Sequence, residues 1–141
     1  ETCRVHVPPR SVSQALRVVM KNAIDASPED AEIEARIDLE GDAVRVTIRD
    51  RGAGMTPEVL ARVGEPFFTT KGPGAGMGLG LFLSRAVVER VGGSLAIESA
   101  HGVGTTVTVL LPRGHEPLAA REARSGRPLA LGVSGAAIEK A

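Results

Sequence analysis

The chain has 141 residues, 43% hydrophobic but only 2% aromatic, with neither Trp nor Tyr; this length suits one domain with an aliphatic core. Its 17 Lys and Arg balance its 17 Asp and Glu, so a net charge of zero gives no electrostatic case for nucleic acid or an anionic membrane, and base-stacking aromatics are missing as well. A single cysteine, Cys3, excludes an internal disulfide and a Cys-based zinc site, and no apolar run approaches the roughly 18 residues of a membrane span.

Cys3 to Val7 alternates like a short strand, which Pro8-Pro9 would end. The chain has no initiator Met and opens inside this strand, so it is expected to be a piece of a longer protein. Ser11 with Gln14 fits a capping box. Val12, Leu16, Val19, Met20 and Ala23 then follow the helical period up to Ser27-Pro28. Ile33, Ala35, Ile37 and Leu39 alternate with Glu32, Glu34, Arg36 and Asp38. Glu40-Gly41-Asp42 turns the chain, and Val44, Val46 and Ile48 alternate with Arg45, Thr47 and Arg49. This predicts an antiparallel hairpin with one wet face. Asp50 to Met55 reads as a loop. Thr56 then caps a short helix begun by Pro57 and ended by Gly64. A further helix is expected from near Gly80 to Val91, with Gly92-Gly93 as its C-cap. Leu95 and Ile97 mark a strand, Ser99 to Gly104 a turn, and Val107, Val109 and Leu111 the last strand, closed by Pro112. Arg113 to Ala141 has no strong period and is expected to be a disordered tail. The order predicts an α+β domain over residues 1–112, with helices on one face of a mixed, mostly antiparallel sheet.

The glycines between Glu65 and Ser84 ask for a chemical reason. Gly76, Gly78 and Gly80 lead into an apolar helix, with Lys71 just before them. Clustered glycines let backbone amides approach an anion, and a helix N-terminus adds donors and partial positive charge. A plain flexible loop is the other reading. A P-loop is excluded, because Leu81-Phe82 rather than Lys-Ser/Thr follows Gly80. No six-residue window fits the dinucleotide fingerprint. Asn22 stands on the first helix with Asp25 three residues on; its amide oxygen suits Mg²⁺, a hard cation that keeps its waters. Asp50 closes an apolar strand, and a carboxylate there can accept from an exocyclic amine. Taken singly, Asn22 also reads as a helix-end polar residue and Asp50 as a turn former.

Taken together, these stretches resemble the Bergerat-type ATP-binding domain of sensor histidine kinases, a two-layer α/β sandwich with about three helices and a mobile ATP lid. "KNAIDAS" (Lys21 to Ser27) is similar to the N box, "DRGAGM" (Asp50 to Met55) to the first glycine box and "EPFFTTK" (Glu65 to Lys71) to the F box. "GAGMGLGL" (Gly74 to Leu81) is similar to the second glycine box and "GVGTTV" (Gly102 to Val107) to the closing Gly-Thr motif. The resemblance covers roughly Cys3 to Pro112 and is nearest to RegB-like kinases. It implies that Asn22 ligates Mg²⁺, Asp50 binds the adenine amino group, and Gly52 and Gly54 leave room for the base. It implies that Lys71 contacts phosphate, that Phe67 and Phe68 anchor the lid, and that Gly76, Gly78, Leu79 and Gly80 form its phosphate end. Thr105 or Thr106 would support the adenine pocket. Lys21, Asp25, Met55, Thr70 and Met77 complete the nucleotide-binding set, and Asn22 and Lys71 are the catalytic pair.

The resemblance also implies partners: a dimerisation domain carrying the phosphoacceptor histidine, which this chain lacks, and a cognate response regulator. The parent would be a homodimeric, membrane-bound bacterial sensor kinase with this domain in the cytoplasm, touching neither nucleic acid nor membrane. His6, His101 and His115 do not read as the acceptor; Pro117 follows His115-Glu116 almost at once. Family members often place Asn, His or Glu four residues before the N-box Asn. Here that residue is Val18, which cannot take a proton, so little intrinsic hydrolysis is expected. The alternatives are a nucleotide-binding module without catalysis and an anti-sigma-factor-type serine kinase of the same fold.

Overall fold

The computed structural model describes residues 4–114. Three helices and four strands follow one another: α1 (Pro9–Ala26), β1 (Glu34–Glu40), β2 (Ala43–Asp50), α2 (Pro57–Arg62), α3 (Gly80–Arg90), β3 (Ser94–Ala100) and β4 (Gly104–Pro112). The strands make one sheet of order β1-β2-β4-β3, and every neighbouring pair is antiparallel. The sheet among the described residues is therefore wholly antiparallel rather than mixed. The expected strand at Cys3 to Val7 does not form over the described residues 4–7, although Val5 and Val7 still pack against the core. Alternation buries those two valines without a ladder, because Pro8 and Pro9 take two donors from the chain where a ladder would continue. Cys3, His115 and the tail beyond Gly114 lie outside the described residues.

The core is aliphatic, as the composition requires. Val12, Val19 and Ala23 come from α1, and Val44, Val46 and Ile48 from β2. Val88 comes from α3, Leu95 from β3, and Val109 and Leu111 from β4. α1 packs on β2 and on α3, and α3 on β3 and β4. α2 buries no residue fully, with Val59 and Leu60 half-buried, so α1 and α3 carry most of the helical layer's packing on the sheet. That layer leaves β1 bare. Ile37 and Leu39 share the inward phase of their partners Val46 and Val44, yet they are 70% and 41% exposed.

Local chemistry sets the element ends. α1 begins at Pro9 with Pro8 as N-cap and no side-chain cap, so Ser11 lies inside the helix and the expected capping box does not form. A proline's fixed φ suits the first helical turn, where its missing donor costs nothing. Thr56 does cap α2, accepting from the Val59 amide at 3.4 Å. α3 closes in a Schellman motif. Gly92 (φ 80°) donates to the Glu89 carbonyl and Gly93 to the Val88 carbonyl, both at 2.9 Å. The buried Ser84 hydroxyl bonds the Gly80 carbonyl at 2.8 Å and the Ala15 carbonyl at 3.3 Å, which pins α3 to α1.

Candidate functional site

One site gathers at the C-terminal end of α1, the Asp50–Met55 loop, the β3–β4 turn and the glycine-rich segment before α3. Asp50 is its floor. β2 buries alternate residues, Val44, Val46, Ile48 and then Asp50, so the carboxylate points to the helical side at the end of an apolar row and is only 5% exposed. Its Oδ1 accepts from the Gly52 amide at 2.9 Å and from the Thr105 amide at 3.2 Å. Among the described residues no hydrogen bond reaches Oδ2, yet that oxygen is not sealed from solvent. The side chain is thus held by one oxygen and presents the other, which suits recognition of an N–H donor.

The loop after Asp50 is fastened on two sides. The Ala53 amide donates to the Ala26 carbonyl at 3.4 Å, and the Gly102 amide to the Ala53 carbonyl at 2.7 Å. A Cβ at Gly52 would collide with the Ala26 carbonyl, and one at Gly54 (φ 64°) with the Ala100 carbonyl. What these two glycines make room for here is backbone, where the resemblance implied space for a base. Met55 donates its amide to Ser99 Oγ at 2.8 Å. Ser99 in turn bonds the Gly104 carbonyl at 3.0 Å and Thr105 Oγ1 at 2.9 Å. Ser99 is expected in a turn. It lies in β3, in phase with Leu95 and Ile97, and that phase was the signal available for it. Of the two threonines offered, Thr105 joins Asp50. Thr106 turns to the opposite face of the sheet, where it borders a groove of about 570 Å³ lined mainly by the charged residues of β1 and β2.

Asn22, Asp25 and Lys71 form the second part. The Lys71 ammonium reaches from the loop to α1, donating to Asn22 Oδ1 at 3.3 Å and to Asp25 Oδ2 at 2.6 Å. Lys21 also donates to Asp25, at 3.0 and 2.9 Å, from a side chain that is 71% exposed. Lys71 first, and Lys21 second, hold the Asp25 carboxyl below the usual carboxylate range. The Asn22 amide oxygen therefore already attracts a cation. Among the described residues no group of three His, Cys, Asp or Glu could hold a metal, so a cation at Asn22 would draw its other ligands from water or substrate oxygens. That donor set fits Mg²⁺.

The glycine-rich segment closes the site. The Phe67 amide donates to the Gly78 carbonyl at 3.0 Å, which joins the two ends of the loop. Gly78 has φ 71°, and a Cβ there would stand 2.6 Å from the Phe67 carbonyl carbon. Phe67 (φ 66°) and Met77 are each 75% exposed. The base of the loop is anchored by Phe67 backbone and by Phe68, whose ring lies 4.4 Å below the Arg62 guanidinium, and not by the Phe67 side chain. Thr70 and Gly76 are exposed, Leu79 is the half-buried N-cap residue of α3, and Gly80 opens that helix. Leu79 supplies no side-chain cap, so the first-turn amides of α3 are available to an anion. A Cβ on Gly80 would stand 2.9 Å from Val18 Cγ1, so Val18 is a packing residue under the helix start.

Comparison with known proteins sets this geometry in context. Residues 8–115 match the family described as histidine kinase-, DNA gyrase B- and HSP90-like ATPase. Sporulation kinase E of Bacillus subtilis (strain 168) is 38% identical over 109 residues, which is 77% of this chain and 14% of that protein. Sensor histidine kinase ZraS of Klebsiella oxytoca is 36% identical over 111 residues, 78% of this chain and 24% of that protein. The chain therefore spans only a small part of these relatives' length. Among solved structures, a mycobacterial sensor histidine kinase, MprB, superimposes with TM-score 0.68 at 28% identity, covering 77% of this chain and 74% of that one.

Proposed function

The chain belongs to the family of histidine kinase-, DNA gyrase B- and HSP90-like ATPases, whose ATP-binding fold it shares, and from that premise we propose that it is the catalytic ATP-binding domain of a sensor histidine kinase. In this reading it binds Mg²⁺-ATP and donates the γ-phosphoryl group to a histidine on a separate helical dimerisation domain. The observation that carries the reading is Asp50. Its buried carboxylate is held through Oδ1 and offers Oδ2 to the adenine amino group.

Each remaining part has a share in the chemistry. Asn22 Oδ1 is the oxygen that would hold Mg²⁺, which when bound neutralises charge on the phosphates. Lys71 adds a positive charge on a flexible arm, and the amides that open α3 receive phosphate oxygens. Phosphoryl transfer depends mainly on positioning and charge neutralisation, so the domain needs no base of its own. Val18 offers none, and slow hydrolysis of ATP by water follows.

The phosphoacceptor domain and a cognate response regulator are the partners, and the parent acts as a homodimer. Among the described residues no helix is long and apolar enough to cross a membrane; we assign the domain to the cytoplasmic part of a membrane-bound sensor. Residues 1–112 make up the ATP-binding domain. A second reading, a nucleotide-binding module without catalysis, is favoured only by Val18.

Calorimetric titration with ATP, with and without Mg²⁺ and beside Asp50→Asn, tests the site. Mg²⁺-dependent binding that is mostly lost in Asp50→Asn is expected, and equal binding by both proteins would overturn the pocket. Phosphate transfer from ATP to an added helical histidine domain then separates the kinase from the non-catalytic module.

A further inference from the structure

Asp25 has no role in the scheme above. Its carboxylate is already committed to two lysines. These lysines are not equivalent. Lys21 is its neighbour one turn away on an exposed helix face, whereas Lys71 arrives from a loop 46 residues on, with a side chain only 35% exposed. From Gly72 to Met77 every residue is exposed. Among the described residues, the hydrogen bonds of Lys71 are the only ones that join this loop to α1. Gly76 lies across the Lys71 stem, where a Cβ would stand 3.5 Å from Cδ. The loop is thus held at its base by the Phe67–Gly78 pairing and at its middle by a single ammonium group.

That ammonium also stands 3.3 Å from Asn22 Oδ1. We propose that Asp25 is a positioning residue, which in the nucleotide-free protein seats the Lys71 ammonium on Asn22 and so ties down the lid through the oxygen meant for the metal. The inference rests on the assignment of Asn22 as the Mg²⁺-holding residue. The two cations compete for that oxygen. A magnesium ion needs ligand oxygens at about 2.0–2.1 Å, and a nearby ammonium would repel it across a short distance. Entry of Mg²⁺-nucleotide therefore has to move Lys71 away. Asp25 loses its partner, and Lys71 regains an anionic one in the phosphates, so the tie exchanges one set of oxygens for another. Linkage makes the coupling reciprocal: whatever strengthens the tie weakens Mg²⁺-nucleotide binding to the same degree.

The test is hydrogen exchange on the full chain without nucleotide. In Asp25→Asn, amides of residues 69–78 are expected to exchange several-fold faster while α1 and the sheet stay as protected as in the parent. Adding Lys71→Met to Asp25→Asn should give no further rise, because both changes cut one tie. Asp25→Glu, which keeps the charge, should restore protection in part. Unchanged exchange in the lid would overturn the proposal, and so would a rise spread equally through α1, which would mark Asp25 as helix support. A calorimetric titration with Mg²⁺-ADP completes it. Asp25→Asn is expected to bind more tightly than the parent, and weaker binding would overturn the proposal by making Asp25 a ligand. Failure of the parent to bind nucleotide would defeat the assignment of Asn22, a result separate from the exchange data, which need no nucleotide.

Discussion

Asp25 carries a charge whose two neighbours can be told apart by titration. Lys71 is the larger cause of its lowered pKa and Lys21 the smaller. A carboxyl whose pKa is lower in the folded protein than in the unfolded chain stabilises the fold above the unfolded value. That contribution disappears as pH falls through the folded value. The Asp25–Lys71 pair is thus intact at neutral pH and is lost only on acidification below the usual carboxylate range. Carbon-detected NMR of the Asp25 carboxyl should show a midpoint below that of a free aspartate. In Lys71→Met the midpoint should rise part of the way back, since Lys21 still lowers it. A midpoint unmoved by Lys71→Met would mean that the contact is not populated in solution. Because the pair is exposed, its part in overall stability is small.

At the level of elements, β2 and β4 carry the fold. Val109 is 1% exposed and stands between Val46 of β2 and Leu95 of β3. Val109→Ala removes two methyl groups from a fully buried site, at a cost of about 2 kcal/mol. Urea unfolding should show that loss while ATP affinity of the folded protein is unchanged. The alternation of β2 was legible in the sequence, and it fixed more than a strand: Asp50 continues the row of Val44, Val46 and Ile48, so its burial could be read directly. Thr105 continues the row of Val107, Val109 and Leu111 in the same way, but its bond to Asp50 was not legible, because only tertiary pairing says which strand lies beside β2. The bare apolar row of β1 was not legible either. Alternation says which side of a strand is apolar, but only tertiary packing says whether a helix lies over it. Ser84 escaped notice because a serine within an apolar helix has no pattern, and its meaning lies in the Ala15 carbonyl of another helix.

The molecule as a whole places its chemistry on one rim of a two-layer sandwich. α1 supplies Asn22, the end of β2 supplies Asp50, β4 supplies Thr105, and the loop before α3 supplies Lys71. Every one of these lies before Gly114. A chain ended after Gly114 is therefore expected to bind ATP as the longer one does, measured by the same calorimetry; weakened binding would assign part of the site to residues beyond it. The groups that could be found by motif were those whose chemistry is local. The supports found only in three dimensions, Ser99 and the carbonyls of Ala26 and Ala100, act through contacts between distant segments.

The strand order β1-β2-β4-β3 has a consequence for the growing polypeptide. β2 finds its inner neighbour only in β4, the last strand among the described residues, and Asp50 waits for the amide of Thr105, 55 residues later. Until then Val44, Val46 and Ile48 lie along an open edge. On a ribosome that edge stays uncovered through the synthesis of α2, the lid and α3, a period in which unpaired strands invite wrong partners. The candidate site gives no anchor during it, since Asp50 lacks the Thr105 amide until β4 docks. The whole site is thus completed in a single late step, when the final hairpin closes on the sheet.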